Sequence, residues 1–261
     1  MLFADYDRYT YTTSPLIEVI CQLRFPAILS IGSHEPSDFQ EAIRDEFPRY
    51  AVRNERPAPQ VKPGPDGPTL ERQPPVSNYN FISADGCWKI NLTSGFIALS
   101  TLRYTRWEEF AQRLDRPLAQ FIQAYHPAFF ERIGLRYVNA VSRRALGLEN
   151  VSWADLIQPA YLGVLAEPDV DRTAVTRSSI DSEFRMADDC RMKLHAGPGL
   201  LNGGKQDTEV KFILDSDGSA RGNISADKVP ETLETLHHHA VCLFRGAVTS
   251  QLHTAMGPTP I

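Results

Sequence analysis

The chain has few of the features that mark common functional classes. Its four cysteines, Cys21, Cys87, Cys190 and Cys242, are widely separated and form no C-x-x-C pair, which argues against a zinc ribbon or a thioredoxin-like centre. No apolar run approaches the length of a membrane span, and the first residues lack the apolar core of a secretory signal. A formal net charge of -5 argues against a dedicated nucleic-acid binder. We therefore expect a cytoplasmic protein with buried thiols and neither a membrane nor a nucleic-acid partner.

The common catalytic and metal-binding motifs are also missing. His237, His238 and His239 are consecutive, and neighbouring positions on a helix point about 100° apart, so the three cannot converge on one metal. We expect them on a solvated or partly packed helix face. The segment 215–219 resembles the start of a calcium loop, but Ala226 occupies the position of the required glutamate, so we predict a turn. We predict no metal and no cofactor. Whether the protein is an enzyme stays open, with the missing motifs counting modestly against it.

Apolar residues recur along the chain with one of two periods, which predict its strands and its helices. Period-two patterns predict strands at 17–25, 79–83, 88–93, 96–104, 133–141, 178–186 and 190–196, with another near 210–214. An apolar stripe of period 3.6 predicts a central helix over 105–125 and a second long helix from about residue 227. Thr105 and Glu108 have the spacing of a capping box. Pro117 predicts either a kink or two helices, the second capped by Asp115.

The order strand-strand-strand-helix occurs twice, at about 79–125 and 178–252. We predict an α+β fold in which antiparallel sheets pack against long helices, in two similar β-β-β-α halves. The halves are 1–142, which includes a Pro-rich loop at 54–75, and 143–261. The composition of 54–75 favours a long exposed loop, and the residues after 254 have the character of a frayed tail.

Polar side chains on the predicted strands are the candidate binding residues: Glu18, Arg24, Arg103, Arg136 and Asn139. A guanidinium on a sheet face can hold a carboxylate or phosphate through two hydrogen bonds. Arg136 is the strongest candidate, because it lies in an apolar strand on the side opposite Ile133, Leu135 and Tyr137. A structural ion pair with Glu18, or an arginine whose stem packs on the sheet surface, explains the same pattern.

Several segments resemble, in order, an uncharacterised, sporadically distributed bacterial protein family. They are P-L-x-E-V near the N-terminus (Pro15 to Val19), residues 104–110, G-L-R-Y-x-N (Gly134 to Asn139) and L-H-x6-F (Leu236 to Phe244). The resemblance covers nearly the whole chain. It carries no established activity, and the patchy distribution of the family implies an accessory defence or toxin-antitoxin locus.

Two functions follow as hypotheses. The first is a non-enzymatic cytoplasmic protein that binds an unidentified protein partner. The alternative is a small-ligand-binding protein or an enzyme that acts on a phosphate- or carboxylate-bearing molecule through the strand arginines. An exposed apolar patch would favour the first hypothesis, and a basic pocket between sheet and helix would favour the second. The sequence leaves a homodimer open.

Overall fold

The computed structural model describes residues 4–56, 60–62, 69–71, 75–186, 189–201 and 207–261. Its strands are β1 (Tyr9–Tyr11), β2 (Leu16–Arg24), β3 (Arg49–Glu55), β4 (Gln60–Lys62), β5 (Thr69–Glu71), β6 (Val76–Ile82), β7 (Trp88–Leu92), β8 (Phe96–Thr101), β9 (Phe130–Val141), β10 (Ile180–Arg185), β11 (Arg191–Gly199), β12 (Lys211–Ile224) and β13 (Pro258–Pro260). Nine of them form one antiparallel sheet in the order β10-β11-β12-β9-β2-β8-β7-β6-β3.

The helices are α1 (Leu29–Ser33), α2 (Ser37–Ile43), α3 (Trp107–Tyr125), α4 (Trp153–Leu156), α5 (Val229–Ala247) and α6 (Ser250–Ala255). Short 3-10 turns occur at Pro159–Tyr161, Gly163–Ala166 and Ala226–Lys228. The predicted α+β class with an antiparallel sheet is confirmed. Within the described residues, no helix combines the length and the apolar character needed to cross a bilayer.

The helices α3 and α5 cover the same face of the nine-stranded sheet. Tyr137, Val19, Thr101 and Trp88 are register partners on four neighbouring strands, so their side chains project from one face. The Trp88 ring lies 5.8 Å from Phe110 of α3, and the Tyr137 ring lies 5.9 Å from an α5 ring. We call this side the helix face. The opposite side, which carries Arg136 and Asp215, is the polar face.

The hydrophobic core lies between the helix face and these two helices. The apolar stripe predicted for α3 is buried at Trp107, Phe110, Leu114 and Phe121. The stripe predicted for α5 is buried at Val229, Leu233, Leu236, Ala240, Leu243 and Ala247. The alternation in β2 buries Val19, Cys21 and Leu23 on the same side. Periodicity therefore identified most of the core-facing apolar side chains of α3, α5 and β2, but not His237 and Cys242, which are also buried on α5.

Two details of α3 differ from the sequence prediction. The capping box is absent: Arg106 is the N-cap residue and makes no side-chain cap, while Glu108 binds Arg8 at 2.7 Å. The hydroxyl of Thr105 donates to Glu109 instead. Pro117 lies buried inside one helix, so Asp115 caps no second one. Packing of the apolar stripe offsets the hydrogen bond that the proline removes.

The predicted turn at 215–219 is wrong, because the whole segment belongs to β12. Asp215 and Asp217 project onto the polar face, where they pair with Arg136 and Arg132. Gly218 projects onto the helix face, where an added Cβ would meet Met192 Cε at 3.3 Å and Leu236 Cδ2 at 3.4 Å. The Asp-x-Asp-Gly pattern therefore reflects ion pairing on one face and close packing on the other.

Two predicted irregular segments contain regular structure. Within 54–75, β4 and β5 pair with each other, while Val61 and Leu70 stay exposed at 64% and 73%. The remaining loop prediction, at 57–59, 63–68 and 72–74, lies outside the described residues. The predicted frayed tail is wrong, since β13 pairs with β1 from Tyr9↔Pro260 to Tyr11↔Pro258. Backbone pairing orders this tail despite its few apolar residues.

The sheet continues across the predicted boundary between 142 and 143, because β9 pairs with both β2 and β12. The division into halves 1–142 and 143–261 stays a prediction. Three of the four cysteines, Cys21, Cys190 and Cys242, are buried as predicted, and Cys87 is partly exposed.

Candidate functional site

A pocket of about 390 Å³ lies between the helix face and α5. Its walls come from the N-terminal segment at 7–11 and 14–16, the entry to α3 at 104–107, Tyr137 and Asn139 of β9, and five residues of α5 with Ile261. Six of the side chains are aromatic carbocycles or indoles: Tyr9, Tyr11, Tyr104, Trp107, Tyr137 and Phe244. We call this space the aromatic pocket. Its volume falls within the usual range of small-molecule sites.

Local structure explains why these side chains meet. Tyr137 and Asn139 are two residues apart on β9, so both project onto the helix face. His237, Val241 and Phe244 lie four and seven residues apart on α5 and share one helical face. The pairing of β1 with β13 places Tyr9 and Tyr11 beside α5, where the Tyr11 ring lies 5.9 Å from Phe244. Four segments that are distant in sequence thus build one cavity.

His237 lines the aromatic pocket and is only 4% exposed. Its ring stacks on the Trp107 indole, with centroids 4.6 Å apart and planes 9° apart. Nδ1 lies 2.7 Å from the Tyr137 hydroxyl, while Nε2 is buried with no hydrogen-bonding partner among the described residues. Burial lowers the pKa of His237 to about 3, with the nearby Arg8 adding to the effect. The imidazole is therefore neutral at pH 7.

The hydroxyls of three pocket tyrosines, Tyr11, Tyr104 and Tyr137, are also neutral. Burial raises the pKa of Tyr11 to about 12, and burial likewise raises the pKa values of Tyr104 and Tyr137 above their ordinary range. The Tyr11 hydroxyl lies 3.1 Å from His253 Nδ1. A neutral phenol donates one hydrogen bond and can also accept one. These groups therefore offer hydrogen bonds to a ligand without adding charge.

The charged side chains that line the pocket are three arginines and one aspartate: Arg8, Arg106, Arg245 and Asp7. Arg8 is paired with Glu108 at 2.7 Å. Arg245 lies over the Tyr6 ring at 5.4 Å. In the described part of the chain, neither Arg106 nor Arg245 forms an ion pair with a carboxylate. After the Arg8–Glu108 pair is set aside, the lining side chains carry two guanidinium groups and one carboxylate, so they favour a negatively charged ligand group.

The strongest candidate from the sequence, Arg136, lies on the polar face, away from the aromatic pocket. Its Nε and Nη2 donate to Asp215 Oδ1 and Oδ2 at 2.7 and 2.5 Å, and this bond raises the pKa of the guanidinium. The depression beside it, of about 470 Å³, is also lined by Lys193 and by four acidic residues, Asp181, Glu183, Asp215 and Asp217. Two cations against four carboxylates do not favour an anionic ligand, so the geometry supports a structural ion pair.

The other sequence candidates are dispersed. Glu18 and Arg24 lie on the polar face of β2, where Glu18 is opposite Val138 and Arg24 is opposite Arg132. Arg103 follows the end of β8 and pairs with Asp85 at 3.4 Å on the surface. Asn139 alone lines the aromatic pocket, where it is 6% exposed and its amide donates to Leu214 O at 3.3 Å. The set of strand residues therefore does not form one site.

Sequence analysis missed His237, Trp107 and the pocket tyrosines. The signal was available for His237, because it falls on the apolar stripe of α5 together with Leu233 and Ala240. The three histidines were instead interpreted together as a solvated or partly packed face. That expectation is wrong for His237, which is buried. A separate cluster, Asp5, His238 and Cys242, brings three metal-binding side chains within 4.8 Å of one another.

Neither protein-family models nor curated protein sequences give a match to the chain. The resemblance to the sporadically distributed bacterial family stays a prediction. Each of the four segments that carry this resemblance nevertheless contributes to the aromatic pocket, through Leu16, Trp107, Tyr137 and His237 among others.

Proposed function

We propose that the protein is a small-ligand-binding protein whose aromatic pocket holds a molecule with a planar apolar body and a carboxylate or phosphate group. The observation that carries this proposal is the buried stack of Trp107 on His237 in a cavity whose lining arginines outnumber its carboxylates. The proposal matches the alternative hypothesis from the sequence, with the arginines of the pocket in place of the strand arginines. The first hypothesis, binding of a protein partner, stays a prediction.

The planar body of the ligand is inferred from the aromatic walls. Aromatic side chains bury large apolar areas and prefer offset or edge-to-face contacts with another ring. Tyr104 and Tyr137 already meet edge to face at 5.7 Å and 85°, and the Trp107–His237 stack presents flat surfaces nearby. A ring system in the cavity would find both kinds of contact.

The anionic group is inferred from Arg106 and Arg245. Both line the pocket, and among the described residues neither has a carboxylate oxygen within 4 Å. A guanidinium can bind a carboxylate or phosphate through two parallel hydrogen bonds. Neutral tyrosine hydroxyls supply further donors. A cationic ligand would face the two unpaired guanidinium groups and is not expected.

Binding without catalysis is inferred from the titration of His237. A general base works best when its pKa lies near the working pH, and a pKa of about 3 makes His237 a weak base at pH 7. Its Nδ1 is already engaged by Tyr137. The neutral imidazole is suited to stacking and to a single hydrogen bond through Nε2.

The aromatic pocket also bears on the prediction of two similar halves, because it lies at their proposed junction. We propose that β6-β7-β8-α3 and β10-β11-β12-α5 are equivalent halves, supported by their positions at opposite ends of the sheet and by helices of 19 residues each on one face. The aromatic pocket then lies where the entry to α3 meets α5, at the junction of the halves. Binding at such a junction is common for small-molecule sites.

A thermal-shift panel tests the proposed function. The probes are aromatic carboxylates and nucleoside monophosphates, each beside a neutral analogue with the same ring system. Val241→Trp fills the pocket without removing a polar group, and Val164→Trp, at an exposed position outside the pocket, is the matched control. We expect at least one anionic probe to raise the melting temperature of the wild-type and Val164→Trp proteins but not of Val241→Trp. The proposal fails if no anionic probe shifts the wild type, or if Val241→Trp responds equally.

A further inference from the structure

Asp5, His238 and Cys242 meet where the N-terminal segment packs on α5. Asp5 Oδ1 lies 3.4 Å from His238 Nε2 and 3.9 Å from Cys242 Sγ. Cys242 Sγ lies 3.7 Å from His238 Nε2. A carboxylate oxygen, an imidazole nitrogen and a sulfur atom therefore occupy the corners of one small triangle. None of these residues lines the aromatic pocket, so this cluster is separate from the proposed ligand site.

The triangle has the size that a tetrahedral metal ion requires. Zinc binds nitrogen and oxygen at about 2.0–2.2 Å and thiolate sulfur at about 2.3 Å. At tetrahedral angles these bonds separate the nitrogen from the oxygen by about 3.4 Å, and the sulfur from either by about 3.6 Å. The three observed separations, 3.4, 3.9 and 3.7 Å, match these values within a small rotation of the Asp5 side chain.

The sequence places two of the ligands on a rigid scaffold. His238 and Cys242 are four residues apart on α5, so they lie one turn apart on the same face of the helix. The three consecutive histidines still do not converge, as expected from their sequence positions, but the H-x3-C spacing and the distant Asp5 do. Asp5 adds a ligand from a segment more than two hundred residues away in the chain.

We propose that Asp5, His238 and Cys242 form a binding site for a divalent first-row transition metal, with zinc as the ion that the ligand set fits best. The mixture of oxygen, nitrogen and sulfur donors is typical of zinc and unlike the all-oxygen sites of calcium and magnesium. Binding forms a metal–sulfur bond and releases the Cys242 thiol proton to solvent. Three protein ligands leave the fourth tetrahedral position for water or an exogenous group.

The position of Asp5 gives such a site a consequence. Asp5 lies two residues before Asp7 and three before Arg8, and both of these line the aromatic pocket. A metal bound to Asp5 and to α5 would fasten the N-terminal wall of the pocket to the helix opposite. We therefore expect zinc to slow amide hydrogen exchange over residues 6–12 of the full-length protein.

Titration with Co²⁺, followed by absorption spectroscopy, tests the proposed metal site. Co²⁺ bound by a thiolate gives a charge-transfer band in the near ultraviolet, and we expect this band to saturate at one Co²⁺ per chain and to be displaced by Zn²⁺. Cys242→Ser should abolish the band, and His238→Ala and Asp5→Asn should each weaken Co²⁺ binding by at least about tenfold. Cys87→Ser and His195→Ala, at positions outside the cluster, are matched controls that should keep the wild-type titration.

The proposal is overturned if the wild type shows no thiolate band, if Cys242→Ser keeps it, or if Cys87→Ser loses it. Thermal melts with Zn²⁺ and with a chelator give a second readout that also reports folding of each variant. Zn²⁺ should raise the melting temperature of the wild type and of both controls. An equal rise in Cys242→Ser and Asp5→Asn would exclude the cluster as the binding site.

Discussion

The hydrogen bond between Tyr137 and His237 is the polar contact on which the interior of the aromatic pocket depends. Tyr137→Phe removes the hydroxyl that lies 2.7 Å from Nδ1 and leaves a buried imidazole nitrogen without its partner. We expect the free energy of unfolding to fall by about 1–3 kcal/mol. Tyr125→Phe is the matched control, because the Tyr125 hydroxyl has no hydrogen bond among the described residues and its removal should cost less than about 0.5 kcal/mol. Equal losses in denaturant unfolding would contradict the assignment.

The depressed pKa of His237 predicts a specific pH dependence of stability. The pKa is about 3 in the folded protein and about 6.5 in the unfolded chain. Between these values the unfolded chain binds a proton that the folded protein does not, so the free energy of unfolding should fall as the pH decreases through this window. The limiting slope is about 1.4 kcal/mol per pH unit.

His237→Phe isolates this contribution, because phenylalanine can stack on Trp107 but does not titrate. The difference in unfolding free energy between the wild type and His237→Phe should shift in favour of the variant from about pH 6.5 down to about pH 3. Denaturant unfolding at a series of pH values measures it. Parallel pH profiles for the two proteins would show that His237 is protonated equally in the folded and unfolded states.

Arg136 is expected to stabilise the sheet and to have no part in ligand binding. Arg136→Lys loses the two-point contact with Asp215, and because the arginine side chain is 45% exposed the cost should stay below about 1 kcal/mol. The thermal-shift response to the anionic probes should equal that of the wild type. If a folded Arg136→Lys protein no longer binds the probes, the ligand site lies on the polar face and not in the aromatic pocket.

Arg136 and His237 were treated differently by the sequence patterns, and only the burial of His237 could have been predicted from them. Both are polar residues within apolar patterns, and the pattern marked Arg136 because a charge in a strand is conspicuous. A structural ion pair was among the explanations, but with Glu18 as the partner, because the actual partner, Asp215 of β12, was predicted to be in a turn. The burial of His237 was not predicted because the three consecutive histidines were interpreted together. Its position on the apolar stripe of α5 nevertheless indicated burial.

The segment between β3 and β6 allows a test of how little residues 57–74 contribute to the stability of the fold. Glu55 is the register partner of Val76, and β4 and β5 pair with each other. Replacing residues 57–74 with a short glycine linker should change the free energy of unfolding by no more than about 1 kcal/mol, since the entropy of loop closure varies slowly with length. The melt should stay cooperative.

A longer deletion that also removes β3 is the control for damage to the sheet. It takes away the strand that pairs with β6 from Arg49↔Ile82 to Glu55↔Val76, and it should lower the melting temperature strongly. If the shorter deletion alone abolishes the cooperative transition, the segment 57–74 contributes packing that the account does not include.

Strands and helices were predicted well where one periodicity dominates. In β2, β7, α3 and α5 a single buried face sets the pattern, so local sequence is enough. The prediction failed in β12, where Asp and Gly have the composition of a turn. Their positions are instead set by contacts with residues of neighbouring strands. It failed again at the start of α3, where Glu108 binds Arg8 and the predicted capping box is absent. Tertiary contacts decided both cases.

At the scale of the whole molecule, the aromatic pocket exists only after folding. Its walls come from residues near 7–16, 104–107, 137–139 and 237–245, and the chain before β2 is held beside α5 partly by the pairing of β1 with β13. Sequence periodicity predicts the individual elements but carries no information on which element ends meet. The α+β class was therefore predictable, whereas the site was not.

Native mass spectrometry tests the ligand-binding role most directly. The wild-type, Val241→Trp and Val164→Trp proteins are each incubated with a small-molecule extract of the source cells, separated from free solutes and weighed intact. The account predicts an added small mass on the wild-type and Val164→Trp proteins that is missing from Val241→Trp, and it predicts an anionic, ring-containing compound on release. No added mass on the wild type, or the same mass on Val241→Trp, would contradict it.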